Sequence, residues 1–151
     1  MAFILDTNIL IHLLRGSPTA TKLADDLFEN QHPTLLISIV TQGEIESIAM
    51  QRGYGGKKMS QLKKLLAEFL IIPVNDREIV DRYAEIDTYS QGKLLEKSLP
   101  SGISSRNMGK NDLWIAATAS VTKTTLLTTD SDFDHLIDSG FLNIKKVEQL
   151  Y

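Results

Sequence analysis

Four acidic residues stand where a metal-assisted reaction could be built. Asp6 directly follows the apolar run Ala2 to Leu5, and Asp130 follows Leu126-Leu127-Thr128-Thr129. Glu44 falls early in a stretch of helical period, and Asp112 opens another. Carboxylates gathered in one place repel one another, and a hard divalent cation among them makes the arrangement tolerable. Mg²⁺ or Mn²⁺ takes such oxygen ligands, polarises a phosphoryl oxygen and lowers the pKa of an attacking water. Phosphodiester hydrolysis is the reaction class that suits the set. Each acid also admits a plainer role. Asp6 fits a solvated strand end, and Asp112 a charge on a helix dipole. Thr41 with Glu44 has the spacing of a capping box. Asp130-Ser131-Asp132 fits a turn.

The elements that must position these acids alternate along the chain. Four apolar runs read as buried strands: Ala2 to Leu5, Leu35 to Ile37, Leu126 with Leu127, and Leu142 to Val147. Five helical stretches lie between them. Ser17-Pro18 starts the first, with Leu23, Leu27 and Phe28 as its apolar face. The second runs from Ile39 to Gln51, and the third from Met59 to Leu70. Asn75 caps the fourth, with Ile79, Tyr83 and Ile86 inward. Asn111 caps the fifth, which carries Leu113, Trp114, Ala116, Ala117 and Ala119. Strands alternating with helices predict an α/β fold around a mainly parallel sheet. In such sheets sites gather beyond the carboxyl ends of the strands. Chain direction alone sends Asp6, Glu44 and Asp130 there, and Asp112 can join them from a helix start.

Bulk properties narrow the classes. The 151 residues suit a single domain, 1–151, with enough buried surface to fold unaided. Cysteine is absent, which excludes disulfides, thiol chemistry and cysteine-ligated zinc. No stretch approaches a membrane span, and the apolar run at Ala2 to Leu5 is too short for a signal peptide. A cytoplasmic protein is the expectation. The net charge of −3 argues against nonspecific coating of nucleic acid, but less against a nuclease, which must collect carboxylates for its metal.

The acidic blocks resemble a known family. Phe3-Ile4-Leu5-Asp6-Thr7-Asn8 is similar to the opening of PIN domains, especially VapC-type toxins. Thr41-Gln42-Gly43-Glu44-Ile45 resembles their second block. Asn111-Asp112-Leu113-Trp114-Ile115-Ala116-Ala117-Thr118-Ala119 resembles the third, and Leu127-Thr128-Thr129-Asp130-Ser131-Asp132-Phe133 the fourth. The blocks occur in family order over nearly the whole chain. The resemblance implies a three-layer, Rossmann-like PIN fold and an Mg²⁺- or Mn²⁺-dependent endoribonuclease, the toxin of a type II toxin–antitoxin pair. It implies Asp6, Glu44, Asp112 and Asp130 as metal-binding and catalytic acids. Asn8, Thr128 and Asp132 would be auxiliary, since an amide or hydroxyl can orient ligands and waters. An antitoxin partner and a homodimer are implied in the same way.

Other signals carry less. Gly53-Tyr54-Gly55-Gly56-Lys57-Lys58 reads as a glycine-rich basic loop, but it lacks the spacing of a phosphate-binding loop and follows a helix. Leu99 to Lys110 is a second loop. Lys57, Lys58, Arg106 and Lys110 are candidate contacts to RNA phosphates, with Lys63 and Lys64 nearby; solvated side chains are the plainer explanation. His12, His32 and His135 lack metal-ligand spacing, and Trp114 reads as core. Asp6-Thr7-Asn8 is also similar to haloacid-dehalogenase phosphatases, but Asn8 stands where their second aspartate transfers a proton. A noncatalytic interaction domain on the same fold is the further alternative.

Overall fold

The computed structural model describes residues 1–29 and 31–151. Strands β1 (Ala2–Leu5), β2 (Thr34–Ser38), β3 (Leu70–Ile72), β4 (Thr125–Thr128) and β5 (Asn143–Lys146) form one sheet in the order β3-β2-β1-β4-β5. All four pairings are parallel. The helices are α1 (Thr7–Arg15), α2 (Pro18–Leu23), α3 (Ile39–Gln51), α4 (Gly56–Leu66), α5 (Arg77–Ser90) and α6 (Lys110–Thr122). A wider π turn, Ala24–Phe28, extends α2, and a 3₁₀ helix, Ser131–Leu136, follows β4. No helix among the described residues is long and apolar enough to cross a membrane.

Alternation along the strands builds two cores. Ile4, Leu36 and Leu126 face α5 and α6, where Ile79, Ile86, Leu113 and Ala116 are buried. Phe3, Leu5, Ile37 and Leu127 face the other way, against Ile9 and Leu10 of α1, Ile45 and Ala49 of α3, and Leu62 and Leu66 of α4. A parallel sheet with both faces covered needs this continuous apolar pattern. The chain winds outward from β1 to β3, then returns to β4 on the other side of β1. The crevice at the carboxyl ends of β1 and β4 is therefore a topological switch point.

Several elements depart from expectation, each for a local reason. Helix α1 was absent from the pattern reading, because Ile9 and Leu10 prolong the apolar character of β1. Asp6 caps it, and Gly16, at φ +60°, ends it. The third helix begins at Gly56 rather than Met59 and stops at Leu66, and Leu70 belongs to β3 instead. Only Arg52 to Gly55 connect α3 and α4, so Gly56, Lys57 and Lys58 are helical rather than loop. Strand β3 lies on a sheet edge with Leu70 and Ile71 exposed, so no buried run marks it. Strand β5 is also an edge and mostly exposed, not a buried strand. Ser17 caps α2 as expected, donor and acceptor being Ala20 N–H and Ser17 Oγ at 3.2 Å. The expected place of the Phe28 side chain on that helix face lies outside what the structure describes.

Two caps also move. Asp76, not Asn75, caps α5, accepting from Glu78 N–H at 2.8 Å. Gly109 occupies the cap position of α6, with no side-chain cap, so Asn111 and Asp112 fall in its first turn. Replacing an N-cap carboxylate by alanine costs about 1 kcal/mol. Asp76→Ala should therefore lower the stability of the protein by about that amount in urea melts, while Asn75→Ala should leave it within about 0.3 kcal/mol. Equal losses from both would put the cap back at Asn75.

Candidate metal centre

Four expected acids and a fifth converge at the switch point. Asp6 ends the central strand and is only 4% exposed. Its Oδ1 accepts from Thr7 N–H at 2.7 Å, and its Oδ2 from Thr128 Oγ1 at 2.8 Å. Thr128 ends β4, and its hydroxyl also accepts from Asp130 N–H at 2.9 Å. One hydroxyl thus ties the ends of two neighbouring strands. Glu44, one turn into α3, accepts from Thr7 Oγ1 at 2.8 Å. Asp112 enters from the first turn of α6. Asp130 caps the 3₁₀ helix by accepting from Asp132 N–H at 2.9 Å. Carboxylate oxygens of Asp112, Asp130 and Asp132 lie within 4.8 Å of one another.

The electrostatics follow from this crowding. Burial pushes the Asp6 carboxyl up from 3.8 to about 6, with Asp130 and Glu44 adding to the rise, although its hydrogen bonds to Thr128 and Thr7 oppose it. Burial pushes Asp112 up to about 7, and the charges of Asp6, Asp130, Asp132 and Glu44 reinforce that shift. Asp112 therefore feels all four other acids. The donor set is entirely oxygen and strongly anionic, which fits a hard cation such as Mg²⁺ or Mn²⁺ and not a soft one. Open cavities adjoin the acids: one of about 470 Å³ is lined by Glu44, Gly109, Lys110, Asn111 and Asp112. A larger cavity, about 580 Å³, opens at the other sheet edge near Lys123 and Thr124, but Asp138 is the one carboxylate lining it.

The remaining candidates separate. Thr128 meets the expected auxiliary role by bonding Asp6, whereas Asn8 is exposed and makes no side-chain hydrogen bond among the described residues. Thr7 holds Glu44 instead, and a hydroxyl directly after a strand-end acid is the sequence signal that marks it. The capping-box reading of Thr41 and Glu44 is not met. Ser38 caps α3 by accepting from Val40 N–H, and the buried Thr41 hydroxyl has no partner. Lys110 borders the acids. Arg106 lies instead by His135, whose pKa burial lowers to about 4 with help from the Arg106 charge. His135 is buried and its Nε2 lies 2.7 Å from Ser90 Oγ, a structural position. Trp114 packs on Tyr83 with ring centroids 4.2 Å apart, as a core residue would. Lys57 and Lys58 are exposed at the start of α4.

Fold and geometry together define a parallel α/β domain with an acidic pocket at its switch point. The PIN-domain family model matches residues 3–138, and the chain belongs to the PIN-domain family. A search of curated protein sequences gave no match. Among solved structures, the chain is similar to VapBC2 from Rickettsia felis bound to a promoter DNA fragment, with TM-score 0.76, 21% identity and coverage of 98% and 100% of the two chains. It is also similar to VapBC-1 from nontypeable Haemophilus influenzae, at TM-score 0.68, 23% identity and coverage of 97% and 98%. VapBC-5 from Mycobacterium tuberculosis resembles it at TM-score 0.62 and 24% identity, over 97% and 98% of the chains.

A raised carboxyl pKa means that the folded chain binds protons more tightly than the unfolded chain. Stability without metal should then fall as pH rises from about 4, the unfolded value, through about 7, the folded value of Asp112. Asp112→Asn removes that charge at nearly constant shape. In EDTA at pH 7.5 the variant should be more stable than wild type by about 1 kcal/mol, and the gap should close toward pH 4. Mg²⁺ should favour wild type instead, by mass action. Thermal melts across pH check this; a variant destabilised in EDTA would mean that Asp112 serves α6 alone.

Proposed function

We propose that this PIN domain is a Mg²⁺- or Mn²⁺-dependent endoribonuclease that hydrolyses RNA phosphodiester bonds, and that it acts as the toxin of a type II toxin–antitoxin pair. The observation that carries the reading is the convergence of five carboxylates beyond the central strands, with the driest, Asp6, held by two hydrogen bonds. Asp112, Asp130 and Asp132 have the mutual spacing to hold one ion, with Asp6 and Glu44 adding charge beside them. When bound, a divalent ion supplies Lewis acidity and a water of lowered pKa.

The protein's own residues do the rest. Thr7 and Thr128 fix the oxygens of Glu44 and Asp6, so neither carboxylate must reorganise as charge develops. Lys110 lines the cavity beside Asp112, which supports a contact from it to a substrate phosphate. Without metal, burial and mutual repulsion hold Asp6 and Asp112 up at about 6 and about 7, and a bound divalent cation would favour their charged forms and relieve that repulsion. Products with a 5′-phosphate and a 3′-hydroxyl follow from the family. VapBC-5 is a member of a family of toxin–antitoxin systems, which supports an antitoxin partner here, and an arginine from such a partner would pair well with this pocket. A homodimer rests on family resemblance.

Purified protein should cut a mixed RNA pool with Mg²⁺ or Mn²⁺ and stop with EDTA. Asp6→Asn and Asp112→Asn should each slow cutting by roughly a hundredfold or more while remaining folded, since each removes a metal-site charge. Wild-type rates from either variant would remove these acids from the chemistry. No cleavage of any RNA would favour a noncatalytic domain.

Expression alone should slow bacterial growth, and Glu44→Gln should abolish the effect. Equal toxicity of the two forms would point to an expression burden unrelated to cleavage.

A further inference from the structure

A second pocket, of about 250 Å³, lies between α1, the end of α3 and the start of α4, lined by Leu14, Arg15, Arg52, Tyr54, Lys58 and Gln61. Three cations from three elements meet there, and no carboxylate lines it. None of the three forms an ion pair among the described residues. Lys58 Nζ lies 5.2 Å from the centroid of the half-buried Tyr54 ring. Gly53, at φ +64°, lets the chain turn sharply after α3, and Tyr54 N–H then donates to Ala49 C=O at 3.0 Å.

Helix electrostatics account for only part of this. Arg15 and Arg52 stand at helix C-termini, where cations are favourable. Lys57 and Lys58 stand in the first turn of α4, where cations are unfavourable. That turn carries no acid and no side-chain cap, so its positive end is left unanswered by the protein. Positive charge has accumulated here against the local preference, beside an aromatic wall.

The pocket is connected to the acids by two helices. Thr7 and Glu44 are hydrogen-bonded to each other at the acidic end. Arg15 is eight residues beyond Thr7, and Arg52 eight beyond Glu44. Both arginines therefore lie about 12 Å along their helices from the acids. A phosphate-bearing strand that reaches the acids could follow these helices, and cations with an aromatic platform are how proteins hold single strands.

We propose that Arg15, Arg52, Lys58 and Tyr54 form a subsite for a phosphate and adjoining base of single-stranded RNA, away from the position cleaved. The proposal rests on the nuclease reading above. The anchoring is Coulombic and made without base-edge readout, so it would tolerate sequence.

The test is fluorescence anisotropy of a labelled single-stranded RNA 12-mer with the full chain in EDTA, over a range of salt. Arg15→Gln with Arg52→Gln should weaken binding at least tenfold and reduce the slope of log K against log salt by about 1.4, at ~0.7 for each of two phosphate contacts. Lys58→Gln alone should act in the same direction, which keeps the test open if the double variant misfolds. Tyr54→Phe should bind as wild type, and Tyr54→Ala should not. Lys93→Gln is the control. Unchanged affinity and slope in the arginine variant would overturn the subsite. So would loss of poly-glutamate binding with RNA binding intact, which would assign the pocket to an acidic protein segment. RNA binding that depends on the arginines but is never followed by cleavage in Mg²⁺ would leave the subsite standing and remove the nuclease reading. Cleavage with normal affinity in the arginine variant would do the reverse.

Discussion

Asp6 ends the central strand of a sheet covered on both faces, so its carboxylate sits where water is scarce and other acids face it. Most of the site's design answers that constraint. Two hydrogen bonds, from Thr7 N–H and Thr128 Oγ1, favour the charged form, yet burial outweighs them and the group still titrates near 6. A carboxylate in that position is costly to the fold. The two apolar cores, which pack β1, β2 and β4 against helices on both faces, supply the stability that offsets it.

Asp112 makes the same point with magnitudes. Its place in the first turn of α6 gives a favourable dipole interaction of about 0.3–1 kcal/mol. Burial and the charges of Asp6, Asp130, Asp132 and Glu44 nevertheless push its carboxyl up to about 7, against that preference. Crowding and burial therefore win over the helix dipole. The Thr7 hydroxyl joins α1 to α3, which share no backbone pairing, and the Thr128 hydroxyl reinforces the β1–β4 pairing, where Asp6 N–H already donates to Leu127 C=O; together they set where the carboxylates stand.

The legible parts of the chain were those where one physical signal dominates. β1, β2 and β4 are interior strands, and their apolar runs reflect burial on both sides. The span of α3 from Ile39 to Gln51 was readable because Ser38 closes the strand and Gly53 follows the helix. The convergence of the acids was legible because parallel topology fixes which strand ends share an edge. Edges were harder. β3 has three residues and exposes two, so its apolar character merges with that of α4. Helix α1 hid behind β1 because both are apolar. Thr7 and Asp132 were underrated because what each does depends on partners distant in sequence or on the fold of a turn, which spacing alone does not encode.

The net charge of −3 conceals a strong separation of sign. The carboxylates crowd the start of α1, α3 and α6, while Arg15, Arg52 and Lys58 gather about two turns further along. On the nuclease reading, these two regions have opposite needs. The acidic end must concentrate negative charge to hold a cation, and in doing so it repels the polyanion to be cut. Attraction to the strand must therefore come from elsewhere, at a distance beyond close Coulombic cancellation. The Debye length at physiological salt is about 8 Å, shorter than the ~12 Å between the two ends of these helices. Each end can then present its own sign to a passing strand without neutralising the other, which is why total charge is a poor guide to what this domain binds.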